Sequence, residues 1–206
     1  SGGGSDASSV GGNGGGLIRI VAQTISLSGI ISGDGLGGGT ADAGGGSGGA
    51  IRIGVGTLTG TGLIRANGQD GKPRVNIGGG GGSGGRVAVY YQNITGFDLT
   101  KISAFGGTGN GGQPNGAAGT VYLQGPAREA GELIVDNNNL AVGSLTTPIT
   151  NPASGSIALT HLRLRRQAHV RLDSLLTLTG TLELNSNAAF VSTQRTVAGT
   201  IGVTNN

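Results

Sequence analysis

The feature of this 206-residue chain that most restricts its fold is a run of near-consecutive glycines leading straight into a short apolar alternation, and the phrase recurs. It reads GGNGGGLIRI ending at Ile20, GGGSGGAIRI ending at Ile53, GGGGGSGGRVAVYY from Gly78 to Tyr91, and in a worn copy GAAGTVYL ending at Leu123. With Ile18, Ile51, Val87 and Val121 as anchors, successive copies lie 33, 36 and 34 residues apart. The register also holds behind the anchors. Gly15 and Gly16, Gly48 and Gly49, Gly84 and Gly85, and Ala118 and Gly119 occupy the third and second positions before each. A linker has no reason to repeat, whereas a fixed period of this size marks stacked units, none of which buries a core alone.

Helix is disfavoured from the start. Of the 47 glycines, 41 fall within residues 1–125, and each glycine in a helix costs about 1 kcal/mol relative to alanine. What remains has period two. LIRI, AIRI, RVAVYY and TVYL alternate apolar with polar or small residues and are bounded by Gly, Asn and Asp turn chemistry. A second apolar cluster follows around Ile31, Ile64 and Ile102. Each unit therefore reads as glycine arc, strand, turn, strand and arc, with units near 11–43, 44–77, 78–112 and 113–125. From residue 126 glycine becomes sparse, and short alternations appear at Leu162/Leu164, Val170/Leu172, Leu176/Leu178 and Leu182/Leu184. The stretches between these pairs are too short to hold a helical crossover. They suit short hairpins or successive faces of a coil with leucines inward. The expected fold is all-β: a β-solenoid of parallel β-helix type with glycine-rich arcs over 1–125, then a leucine-lined β segment over 126–206. The joint is placed near 143–155, where Pro148 and Pro152 punctuate TTPITNPASG.

Ordering 41 glycines carries an upper-bound entropy penalty on the order of 20–40 kcal/mol, well beyond the roughly 5–15 kcal/mol of net stability a domain holds. Two things offset it: amide bonds between bare backbones stacked in register, and burial against neighbouring molecules. Glycine arcs running as extended, polyglycine-II-like strands permit the first, because nothing projects between them. Gly15, Gly16, Gly48, Gly49, Gly84 and Gly85 are the expected backbone-packing positions. The chain contains no Cys, Met or Trp, so disulfides and thiolate metal sites are excluded. Its start, SGGGSDASS, suggests a processed product, either by removal of a secretion signal or by cleavage of a larger precursor. No apolar run approaches the ~18 residues of a membrane helix.

The phrases GGGGSGGRVAVYY and GGGSGGAIRI resemble the Gly-rich repeats of large secreted bacterial surface proteins of β-helix type. LTLTGTLELNSNAAF resembles β-solenoid passages of adhesins. The likeness covers residues 11–124 and 156–192 and implies an extracellular or cell-surface structural role with no catalytic residues.

A search for chemistry agrees with that role. Calcium-binding Gly repeats need an Asp where this chain has Gly, and Asp34, Asp42, Asp70 and Asp98 occupy different parts of their units, as turn formers do. No glycine run is followed by the Lys and Ser or Thr of a phosphate loop. Glu129 and Glu132 are close enough in sequence for acid/base work if they face a cleft, but read more simply as a solvated turn. His161 and His169 are candidate ligands or plain surface residues. Thr57/Thr59 and Thr177/Thr179 are isolated Thr-x-Thr pairs, and Asn93-Ile94-Thr95 is a glycosylation acceptor pattern. The basic stretch HLRLRRQAHVRLD carries the strongest signal. Alternation puts His161, Arg163 and Arg165 on one face, with Arg166 and Arg171 nearby. In a chain of net charge +3 this face suits either an acidic polysaccharide or the acids of a neighbouring subunit. No aromatic interleaves it, which argues against single-stranded nucleic acid. The reading is a secreted, self-assembling structural subunit of a filament or surface layer, not an enzyme, without metal or cofactor. An adhesive carbohydrate-binding module is the second reading and a polysaccharide lyase-like scaffold the third.

Overall fold

The computed structural model describes residues 10–39, 42–74, 77–151, 153–192 and 197–198. Pro152 of the expected joint and the SGGGSDASS start lie outside them. The glycine-rich half supplies strands β1 (Leu17–Ser26), β2 (Ile30–Ser32), β3 (Ala50–Thr59), β4 (Leu63–Arg65), β5 (Pro73–Arg74), β6 (Ile77–Gly78), β7 (Arg86–Thr95), β8 (Ile102–Ser103) and β9 (Thr120–Gly125). The second half supplies β10 (Arg128–Asp136), β11 (Thr147–Ile149), β12 (Ser156–Leu159), β13 (His161–Arg165), β14 (His169–Leu172) and β15 (Leu175–Leu178). It continues with β16 (Leu182–Leu184), β17 (Ala189–Ser192) and β18 (Val197–Ala198). Among the described residues the only helical element is a 3-10 turn, Leu99–Lys101, capped by the Asp98 carboxylate accepting the Thr100 N–H. The fold is all-β, and its sheets are mainly parallel.

Seven strands form one sheet in the order β1-β3-β7-β9-β10-β13-β16. Three smaller sheets run β2-β4-β8, β11-β14-β17 and β12-β15-β18, each parallel throughout. The anchors of the repeat are direct register partners: Ile18 lies opposite Ile51, Ile51 opposite Val87, and Val87 opposite Val121. Side chains opposite one another in register share a sheet face. The anchors therefore form one apolar column, and with Ile53, Leu58, Ile64 and Val89 they build the first core, in which all four of these are fully buried.

Sequence periodicity did not anticipate the reversal between β9 and β10. These two strands pair antiparallel across a hairpin at Pro126–Ala127, with a register shift between Arg128 and Glu132. Gly131 makes the shift at φ +85°, in the left-handed region, and its bare Cα faces the Tyr122 ring. Beyond the hairpin the core changes sides. Val121 and its partner Ile134 belong with the first core, while Tyr122 and its partner Leu133 belong with a second. That second core contains Val135, Leu162, Leu164, Val170, Leu172 and Leu176, each at most 1 % exposed. One continuous sheet thus carries two cores on opposite faces. Reversing strand direction while switching faces is a half-turn about the stacking axis, so the crossovers of the two halves keep the same hand, as the strong preference for one crossover hand requires.

The glycine arcs hydrogen-bond in two directions. Along the stack, Gly12, Gly15 and Gly48 donate to the Gly44, Ser47 and Ser83 carbonyls at 2.8 Å. Across it, a zigzag runs from Leu36 N–H to Asn13 O, Gly46 N–H to Leu36 O, Gln69 N–H to Gly46 O, and Gly82 N–H to Gln69 O. Backbones this close leave no room for a Cβ. One added at Gly48 would strike the Ala66 carbonyl and the Gly85 amide, one at Gly84 the Ala104 carbonyl, and one at Gly85 the Gly49 carbonyl. Gly15 and Gly49 are closed in by the Gly33 and Gly16 carbonyls, whereas Gly16 faces open space.

Candidate functional site

The junction of the two halves holds a cleft of about 760 Å³. One wall is the end of the first core, with Ile102, Ala104, Val121, Leu123 and Ile134. The other is the face of β10, β13 and β16 turned away from the second core. Because Leu133, Val135, Leu162 and Leu164 fill that second core, alternation sends Glu132, Asp136, Arg163, Arg165 and Glu183 into the cleft.

These side chains form an ion-pair ladder across three strands. Glu132, only 3 % exposed, binds Arg128 through one carboxylate oxygen and Arg163 through the other. Arg163 reaches on to Glu183, which also takes Arg165 Nε at 3.0 Å. Arg166 pairs with Asp136 at 2.7 Å, and its guanidinium lies 5.4 Å from the Phe105 ring centre. Arg128 also donates to the Tyr91 hydroxyl at 2.6 Å. Burial alone would raise the Glu183 carboxyl, but the hydrogen bonds and charges of Arg165 and Arg163 outweigh it and hold the group below the ordinary glutamate value. Burial likewise would lower the Arg163 guanidinium; Glu132 and then Glu183 reverse this and raise it.

The structure brings Arg163, Arg165 and Arg166 together but separates the rest of the basic stretch. Arg171 lies on β14, in a different sheet, and pairs with Asp173 at 3.0 Å. His161 Nδ1 accepts the Thr181 N–H at 3.2 Å, while His169 Nδ1 lies 3.1 Å from the Gly143 carbonyl in the other sheet, so the two imidazoles make no common site. The acids facing these arginines come from the same chain. Four arginines (128, 163, 165 and 166) meet three carboxylates (Glu132, Asp136 and Glu183), leaving a single net positive charge. Glu129 and Glu132 do not face each other either: Glu132 lines this cleft, and Glu129 lines a trough on the outer side of the sheet.

The partner missed from the sequence, Glu183, was legible in hindsight. LRL at 162–164 and LEL at 182–184 are one period apart, and their middle residues are register partners of opposite charge. Among the described residues no group of three or more His, Cys, Asp or Glu is placed to hold a metal ion. Each aspartate singled out from the repeats is engaged, three of them with a residue one unit further on and Asp98 locally. Asp34 accepts the Asn67 N–H at 2.7 Å and Asp70 the Thr108 N–H at 2.6 Å, while Asp42 pairs with Arg74 and Asp98 caps the 3-10 turn. Comparison with family models, curated proteins and solved structures finds no match to this chain.

Proposed function

We propose that the chain is a structural module of a secreted or cell-surface protein, a β-solenoid that self-associates through the outer edge of β1. The solenoid reading is supported by strands that return to parallel register after one period in both halves. In the first half Ile18, Ile51, Val87 and Val121 are successive partners; in the second, Leu162 meets Leu182 and His169 meets Ala189. The glycine arcs, bonded along and across the stack, support a polyglycine-II-like wall on the side of the first half that carries no side-chain core.

The observation that carries self-association is the unfinished end of the first core. Ile18, Ile20, Ile25 and Ile31 point inward yet are only half-buried, whereas their register partners Ile51, Ile53, Leu58 and Ile64 are 2 %, 0 %, 0 % and 0 % exposed. Among the described residues nothing pairs with the outer edge of β1, ten residues long. An open edge with half-covered apolar side chains is a template for another strand. The edge strand at the other end of the sheet, β16, has three residues and is no match in length. A second copy turned by a two-fold axis offers a strand of equal length, so β1 meets β1 antiparallel in a self-complementary contact.

Sedimentation velocity across a concentration series, paired with negative-stain electron microscopy, tests this. The native chain is expected to form particles of doubled length, and Ile20→Lys, checked for native circular dichroism, to remain single. Single copies of the native chain at every concentration would overturn the reading.

A further inference from the structure

The outer face of the large sheet, opposite the first core, carries a second and separate feature. Of the ten arginines among the described residues, seven pair with Asp or Glu: Arg65, Arg74, Arg128, Arg163, Arg165, Arg166 and Arg171. The three without a carboxylate partner, Arg19, Arg52 and Arg86, are all exposed and all lie on this face. Arg19 stands directly opposite Arg52 in register, and Arg86 stands opposite Ala50, one diagonal step away. Those positions put neighbouring Cβ atoms about 5 Å and about 7–8 Å apart. Like charges directly opposite destabilise a sheet. A chain that matches its other arginines with acids leaves this trio together.

Beside the trio runs a groove. Between Arg52 and the bend of β3 the outward positions are Gly54 and Gly56, so the floor is bare at Gly54, while the Gln23 amide lies over Gly56. A Cβ on Gly54 would meet nothing within 4 Å. Val21 and Gln23 of β1 form one rim and Tyr90 and Gln92 of β7 the other, with Gln124 of β9 beyond. From Ala50 to Gly56 the strip extends about 20 Å at the strand's rise per residue, with Arg52 standing within it. Cations cluster at one end, outnumbering the single carboxylate, Glu129, that lies at the other among carboxamides, which both donate and accept. Tyr90 does not offer a free stacking surface: the Arg52 guanidinium lies 4.8 Å from its ring centre and Tyr122 packs at 5.7 Å. The face therefore suits a linear ligand bearing carboxylates and hydroxyls better than one bearing bases.

We infer that this groove binds an acidic polysaccharide, with uronate carboxylates on Arg19, Arg52 and Arg86 and sugar hydroxyls on the glutamine amides. The site lies within one copy of the chain and does not depend on end-on association. Calorimetric titration at low salt with hexagalacturonate tests it, with cellohexaose and an oligouridylate as comparison probes. Saturable binding of hexagalacturonate, weaker for both comparison probes, is expected. Arg52→Gln should lose at least about tenfold in affinity, since charge-assisted bonds to carboxylate are the strong ones. Gly54→Leu leaves every arginine in place and fills open space, so it should fold as the parent does and still lose binding. Absence of hexagalacturonate binding, binding unchanged in both variants, or tighter binding of the oligouridylate would each overturn the inference.

Discussion

Gly48 and Gly54 belong to the same unit, yet a methyl group means something different at each. At Gly48 it would enter the space of the Ala66 carbonyl and the Gly85 amide, both backbone atoms held by the stacked arcs. At Gly54 it would stand in the outer groove with nothing in contact. Gly48→Ala is therefore expected to destabilise the chain by about 1–3 kcal/mol, as overpacking does, and Gly54→Ala to stay within about 0.5 kcal/mol of the parent. Urea midpoints at constant slope separate these outcomes. Equal effects would mean that the arcs are not in backbone contact. Glycine in this chain thus serves two purposes, as a wall where backbones touch and as an open floor where side chains would otherwise stand.

At the level of elements, the ladder across β10, β13 and β16 shows what adjacent strands do for one another's charges. Glu183 is held below its ordinary value of 4.5 by Arg165 and Arg163. Its folded form gives up the proton more readily than its unfolded form, so the stability it adds is present in full above about 4.5 and is lost as pH falls through and below that value. Glu183→Gln should accordingly be less stable than the parent at neutral pH, with the two melting curves converging as the solution is acidified below that range. A gap that stays constant with pH would show that the ladder holds Glu183 by packing alone. Alternation around Leu162 and Leu164 was readable from residue order, and it correctly put Arg163 and Arg165 on one face. Their partners were not. Glu132 belongs to the strand on one side of Arg163 and Glu183 to the strand on the other, both distant in sequence, and only the parallel register makes them neighbours.

For the whole molecule, two cores sit on opposite faces of one sheet and share few side chains. Loss of packing in one is expected to leave the other protected. Leu164, fully buried in the second core, is the natural probe. Leu164→Ala should cost about 2–5 kcal/mol locally and raise amide exchange in β13, β14 and β16, while β3 and β7 keep their protection. Uniform loss of protection in both halves would make the molecule a single cooperative unit.

Residue order by itself determined the strands of the repeat and their register, because a near-constant period of inward Ile and Val has one way of stacking into a continuous apolar column. It also pointed to the glycine runs lying where backbones meet or turn, since amide bonds between bare backbones are one of the two things that offset their entropy. The reversal at Pro126–Ala127 and the transfer of the core to the other face emerge only in three dimensions, since an alternating strand has period two and carries no mark of which face will be buried. That choice turned one arginine cluster into a ladder paired with acids of the same chain. A charge is matched or left free by what the neighbouring strand places beside it, and that depends on distance in space, not separation along the chain.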